Sequence, residues 1–118
     1  MQGEHFTVSY HTAGALAANH TFVFAAPFDC QLVHVSAVGS NANNGIIDIG
    51  PSTDTDGYLD GKDIGDSGTP AEFGQDDFVG GEFPHIVAGT IIVAALDYDG
   101  AGGTATQDYT LVMVFTEG

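Results

Sequence analysis

Glycine divides this chain into short apolar segments, and that spacing constrains its fold more than any other feature. Seventeen glycines interrupt the 118 residues, and no run is typical of a helix of three turns. The segments are rich in Val, Ile, Phe, Tyr and Thr, which favour extended backbone. Short strands with turns about every 8–12 residues are typical of a β-sandwich. We therefore expect residues 1–118 to form one all-β domain, an antiparallel, jelly-roll-like sandwich of about seven to eight strands.

The first half of the chain contains four predicted strands, at residues 6–10, 20–24, 29–38 and 46–50. In the third of them, Val33, Val35 and Ala37 alternate and are purely apolar, so we expect this set to face the core. Residues 12–19 are rich in alanine, and we expect a loop or a single helical turn there.

The last two strands are predicted at residues 90–98 and 105–116, joined through a Gly-rich loop as a long hairpin. The second strand is apolar on both faces. In an antiparallel protein such a strand needs cover on both sides, from loops or from a neighbouring subunit. We therefore predict a subunit interface that contains Leu111, Val112, Met113, Val114 and Phe115.

Residues 51–82 have a different composition from the rest of the chain. This acidic stretch holds nine of the sixteen Asp and Glu residues and no apolar run longer than two residues. We expect a long excursion with a helical turn at residues 57–64, followed by short strands at 78–79 and 83–86. Excursions of this length inside a compact domain are usually functional or only partly ordered.

The charge balance excludes several functions. Sixteen acidic residues face one base, Lys62, so the formal net charge is −15, and there is no arginine. Binding to a phosphate backbone needs several Lys or Arg side chains, so we expect no nucleic-acid partner. Anionic lipid surfaces repel the chain for the same reason, and no stretch is long enough for a membrane helix. The charge instead favours basic protein surfaces.

One acidic segment partly matches a calcium-binding loop. On the twelve-residue pattern that begins at Ser52, Asp54 and Asp56 take the third and fifth positions, and Asp60 and Asp63 the ninth and twelfth. The pattern departs from a calcium loop at its first and last positions, and the flanking helices are missing. The alternatives are a calcium site and an acidic, solvated turn. Apart from this calcium, no cofactor is expected.

The sequence contains no catalytic signature, and we expect that the protein is not an enzyme. No nucleophile elbow, phosphate loop or nucleotide fingerprint is present. The histidines lack the short spacings of zinc ligands, and they are His5, His11, His20, His34 and His85. The single cysteine, Cys30, allows no intrachain disulfide and is expected to be a small core residue.

Two segments resemble small jelly-roll virion proteins of tailed bacteriophages. They are residues 93–118 (VAALDYDGAGGTATQDYTLVMVFTEG) and residues 49–59 (IGPSTDTDGYL). Proteins of this kind serve as head decoration (cement) proteins, head fibres or other virion appendages, often as trimers. The resemblance implies a viral structural protein, first of all a decoration protein on the capsid surface. Its implied partners are two further copies of itself and the major capsid protein or another virion protein.

An alternative function is a carbohydrate- or receptor-binding module. Jelly rolls carry such sites on their loops, where Tyr58, Tyr98 and acidic side chains could contact a sugar, with or without calcium.

Overall fold

The computed structural model describes residues 4–118, and most of their regular structure is β-strand. Nine strands follow one another: β1 (His5–Ala15), β2 (His20–Ala25), β3 (Cys30–Val38), β4 (Ile46–Pro51), β5 (Leu59–Asp63), β6 (Ala71–Phe73), β7 (His85–Ile86), β8 (Ile91–Asp97) and β9 (Gln107–Glu117). Two 3-10 turns, Gln75–Asp77 and Val79–Gly81, lie between β6 and β7. Within residues 4–118, no helix is long and apolar enough to cross a membrane.

The strands form two sheets that pack face to face. Sheet one has the order β1-β9-β3-β6, and the two-residue β7 also pairs with β3. Sheet two has the order β2-β8-β4-β5. Every pairing between these strands is antiparallel. Without β7, eight strands form the two four-stranded sheets of a jelly roll. The predicted all-β sandwich is confirmed, with nine strands rather than seven or eight.

The last two strands do not form the predicted hairpin, because they belong to different sheets. β8 pairs with β2 and β4, whereas β9 pairs with β1 and β3. The connection crosses the end of the sandwich, where the Thr106 hydroxyl donates to the Tyr98 carbonyl at 2.8 Å. Gly100 lies in this connection at φ 61°, and a Cβ there would overlap the Asn44 carbonyl oxygen. Alternation of apolar residues predicts both strands but does not distinguish a partner in the same sheet from one across the core.

A bulge in β3 changes which of its residues face the core. The register with β9 shifts between Leu32 and His34. A bulge places two residues opposite one, so the alternation of side chains changes phase there. Leu32 is buried before the bulge and Val35 and Ala37 after it, whereas Val33 is only half-buried. The prediction was therefore correct for Val35 and Ala37 and wrong for Val33.

The first strand is longer than predicted and continues to Ala15 through an irregular pairing with β9. The irregularity includes Gly14 at φ 87° and Asp108 at φ 49°. The backbone N–H of Gly14 and the Ser40 hydroxyl donate to the Asp108 carboxylate at 2.6 and 2.7 Å. These bonds lower the pKa of Asp108. Strand geometry therefore replaces the predicted loop or helical turn over residues 12–15.

The acidic stretch contains the outermost strands on one side of both sheets. Residues 59–63 form β5, so the predicted helical turn at 57–64 is wrong. The predicted strand at 78–79 is wrong because Val79 begins a 3-10 turn, and the strand at 83–86 shortens to β7. Single apolar residues attach this stretch to the core, and the buried ones are Leu59, Ile64, Phe73 and Phe78. Because these buried residues are isolated in the sequence, they form no periodic apolar pattern from which the strands of this stretch could be predicted.

The core lies between the two sheets, and β9 supplies its largest side chains. Tyr109, Leu111, Met113 and Phe115 point inward from β9 and are fully buried or nearly so. They face inward residues of sheet two, which include Ile47, Ile49, Ile92 and Leu96. Burial of one such side chain stabilises the fold by roughly 1.5–3 kcal/mol.

We predict that Tyr109→Phe is at least as stable as the parent protein. Tyr109 is 2% exposed, and its Oη has no hydrogen-bond partner among residues 4–118. An unpaired buried hydroxyl costs about 1–3 kcal/mol, which the variant regains. Tyr10→Phe is the matched control, because its hydroxyl is bonded to His20 Nδ1 at 2.9 Å and its removal should destabilise the protein. Urea unfolding compares the two, and a less stable Tyr109→Phe would contradict the prediction.

The same substitution should reduce sensitivity to alkali. Burial raises the pKa of Tyr109 above its ordinary value of 10.0. The folded state therefore retains a proton that the unfolded state loses, and this contribution to stability disappears as the pH rises above about 10. The unfolding free energy of Tyr109→Phe should fall less steeply than that of the parent above pH 10. Equal slopes would contradict this assignment.

Candidate functional site

The outer side of sheet one is a broad surface of mostly uncharged side chains, which we name the sheet-one face. Directly paired residues share a side of a sheet, so the register defines its rows. The three rows across β1, β9 and β3 are Thr7, Val114 and His34; Ser9, Val112 and Ser36; and His11, Thr110 and Val38. Val112 and Val114 lie at the centre of this face because β9 is an inner strand.

The structure divides the predicted subunit interface between the core and this face. Leu111, Met113 and Phe115 are each 0% exposed within the chain's own core, so they cannot form a subunit contact. Val112 and Val114 are half-buried and point outward. The outward valines are therefore the part of the predicted interface that another subunit can reach.

The sheet-one face is poor in acids although the protein is strongly acidic. The acidic side chains on it are Glu72, on the edge strand β6, and Asp108, at the irregular end of β9. Glu72 Oε1 lies 3.4 Å from His34 Nε2. Imidazoles outnumber carboxylates on this face. Besides His11 and His34, it carries His5 and His85, which lie in the row next to that of Val114, at opposite edges of the sheet. A second acidic protein can approach this face with little carboxylate repulsion.

The strands β1 and β2 form an open edge of the sandwich, because each is an outermost strand of its sheet. Neither contains Asp, Glu, Lys or Arg. The rings along this open edge are only partly buried, and they are Phe6, Tyr10, Phe22, Phe24 and Phe28. The Tyr10 and Phe22 ring centroids are 5.2 Å apart. Uncharged edge strands readily pair with another chain.

A small apolar patch lies on the outer side of sheet two, next to the same edge. Val23 and Ile91 are 51% and 41% exposed, and they lie beside Val93 and Ala25 in the register of β2 with β8. We name these four residues the sheet-two patch. It is continuous with the open edge through β2.

The four aspartates of the predicted calcium loop do not converge. A hydrogen bond between Asp54 and Asp56 raises the pKa of Asp54, and the charges of Asp56 and Asp60 add to the effect. Asp63 lies at the far end of β5, opposite Ile46. Across residues 4–118, no group of three or more His, Cys, Asp or Glu side chains is arranged to hold a metal ion. The geometry gives the calcium alternative no support.

A cleft of about 320 Å³ lies where the β4–β5 turn meets the segment before β7. Its lining residues are Gly57, Tyr58, Val79, Glu82, Phe83, Pro84 and His85. The sequence suggested Tyr58 as a sugar contact of the alternative function, and it singled out neither Glu82 nor Phe83. No spacing pattern connects Tyr58 with residues that lie more than twenty positions away in the chain.

Comparison with known proteins identifies a related fold but no family. No family model matches the chain, and no curated protein matches it. Among solved structures, a chain of the cyanophage Pam1 capsid asymmetric unit aligns with a TM-score of 0.61 and 12% sequence identity. The alignment covers 98% of this chain and 85% of the cyanophage chain. At this identity the likeness demonstrates a common fold.

We predict that calcium raises the melting temperature no more than magnesium does. A cation that binds only the folded state must raise the melting temperature, but Asp63 lies apart from the other three aspartates, and within residues 4–118 these side chains are not arranged to hold a metal ion. In the presence of a chelator, Asp54→Asn should be at least as stable as the parent because it removes one of the clustered carboxylates. A rise specific to calcium that Asp54→Asn abolishes would contradict this prediction and support a calcium loop.

Proposed function

We propose that this chain is a structural protein of a virion, a capsid decoration (cement) protein on the outer surface of a phage head. The observation that carries the proposal is the likeness, over 98% of the chain, to a chain of a cyanophage capsid asymmetric unit. The resemblance of residues 49–59 and 93–118 to small virion proteins of tailed phages supports the same role. On this proposal the protein stabilises the shell by non-covalent contacts and performs no catalysis.

The proposed assembly is a homotrimer. In a ring of three, each subunit contacts its two neighbours through two different surfaces. Seen from the centre of one subunit, the angle between the directions to its two neighbours is about 60°. The two contact surfaces must therefore adjoin rather than lie on opposite sides of the sandwich. The sheet-one face and the open edge adjoin along β1, and both are poor in charge. We assign the contact to these two surfaces, with Val112 and Val114 of one subunit against the open edge of the next.

The acidic loops are the proposed contact with the capsid shell. Nine of the sixteen acids lie in residues 51–82, on the side of the sandwich opposite the open edge. A trimer that buries the sheet-one face and the open edge leaves these carboxylates, apart from Glu72, at its periphery. Such a surface favours basic patches on the shell, and salt weakens that attraction.

We expect Val112→Glu to convert the trimer into monomers. The side chain lies at the centre of the sheet-one face, where a carboxylate would be buried without a partner, at a cost of several kcal/mol per contact. Val79→Glu is the matched control, since Val79 is 51% exposed in the 3-10 turn outside both proposed contact surfaces. Sedimentation equilibrium measures the mass of each. A monomeric parent, or a trimeric Val112→Glu, would overturn the assigned contact.

The virion role is tested by locating the protein in purified particles. We expect it on intact virions in a copy number that matches capsid symmetry positions, as measured by quantitative mass spectrometry. Washing with increasing salt should release it, because the proposed shell contact is electrostatic. Absence from purified virions would refute the decoration role.

A further inference from the structure

The cleft beside Tyr58 is formed by segments that are fixed to the sandwich. The Tyr58 N–H donates to the Ile49 carbonyl at 2.9 Å, and the Val79 N–H donates to the Tyr58 carbonyl at 3.0 Å. On the opposite wall, the Pro84 carbonyl accepts from the Leu32 N–H at 3.2 Å. Phe83 packs against the core beside the buried Phe78, with ring centroids 6.3 Å apart. The walls are therefore formed in the unbound protein.

The lining of the cleft combines aromatic rings with one carboxylate. Tyr58 and Phe83 supply the rings, Val79 and Pro84 add aliphatic surface, and Glu82 supplies the negative charge. His85 completes the lining, and its Nε2 lies 2.7 Å from the Gln31 amide nitrogen. The volume of about 320 Å³ suits one side chain or a small ligand.

The charge of the protein determines which ligand suits this lining. With a formal charge of −15 and one lysine in the chain, an anionic ligand is repelled and a cationic one is attracted. A cation near an aromatic face interacts favourably with the ring quadrupole, and a carboxylate can accept its N–H hydrogen bonds. Rings and a carboxylate in one cleft thus match the side chain of arginine or lysine.

We propose that this cleft binds a cationic side chain, preferentially arginine, presented by a partner protein. Arginine fits better than lysine because its planar guanidinium both stacks on rings and donates two parallel bonds to a carboxylate. If the decoration role holds, the partner is the capsid shell, and only this identification of the partner rests on the proposed function. The binding of the cationic side chain is a property of the isolated protein.

The test uses acetyl-arginine amide as the probe and its uncharged isostere, acetyl-citrulline amide, as the matched ligand. Backbone chemical shifts of the ¹⁵N-labelled protein are followed during titration with each compound. We expect saturable shifts at residues 57–58 and 79–85 with the arginine probe. Loss of the charge-assisted hydrogen bonds should weaken citrulline binding by about tenfold or more.

Three variants separate a specific site from general attraction to an acidic protein. Glu82→Gln removes the carboxylate at an exposed position, and it should weaken binding of the arginine probe by about tenfold. Asp66→Asn removes the same charge from the exposed β5–β6 loop, at the other end of β3, and should leave binding unchanged. Tyr58→Leu removes the aromatic face but keeps an apolar side chain, and it should weaken binding of the arginine probe.

Three results would overturn the proposal. The first is equal binding of the arginine and citrulline probes, and the second is an equal loss in Glu82→Gln and Asp66→Asn. The third is binding of methyl glucoside to the same residues with greater affinity than the arginine probe, which would instead indicate a carbohydrate site. None of them bears on whether the protein occurs on virions or forms trimers, so failure of this proposal and failure of the decoration role are distinguishable.

Discussion

The packing of β9 between β1 and β3 is the interaction on which the rest of the structure depends. Its inward side chains, from Tyr109 to Phe115, fill the core, and its outward valines form the centre of the sheet-one face. Because β8 lies in the opposite sheet, the connection after Asp97 must cross the end of the sandwich. That crossing lets the apolar faces of two consecutive strands meet across the core.

Electrostatic repulsion is the second constraint, since a chain of charge −15 must keep its carboxylates apart. The acids are concentrated in the turns and edge strands between residues 51 and 82, whereas β1 and β2 contain none. This distribution separates the molecule into an acidic side and a side that is poor in charge. The proposed subunit contacts lie on the side poor in charge, and the cleft that contains Glu82 lies on the acidic side, where cations are attracted.

The candidate sites depended on tertiary structure to different degrees. Alternation in β9 was enough to identify Val112 and Val114, but it also suggested Leu111, Met113 and Phe115, which the core buries. The acidic turn could be found from its spacing, yet spacing did not reveal that Asp63 lies at the far end of β5. The cleft could not be found, because Tyr58 and Phe83 line it together only through the packing of two irregular segments.

The sequence by itself determined an acidic, all-β, jelly-roll-like domain, because glycine spacing, β-branched segments and charge are local or additive properties. Only the tertiary structure decided that β8 and β9 lie in opposite sheets, that a bulge turns Val33 away from the core, and that residues 59–63 form a strand. Each of these depends on which distant segment supplies the hydrogen bonds or the burial. A period-two pattern specifies that a strand has an apolar face but not which partner covers it.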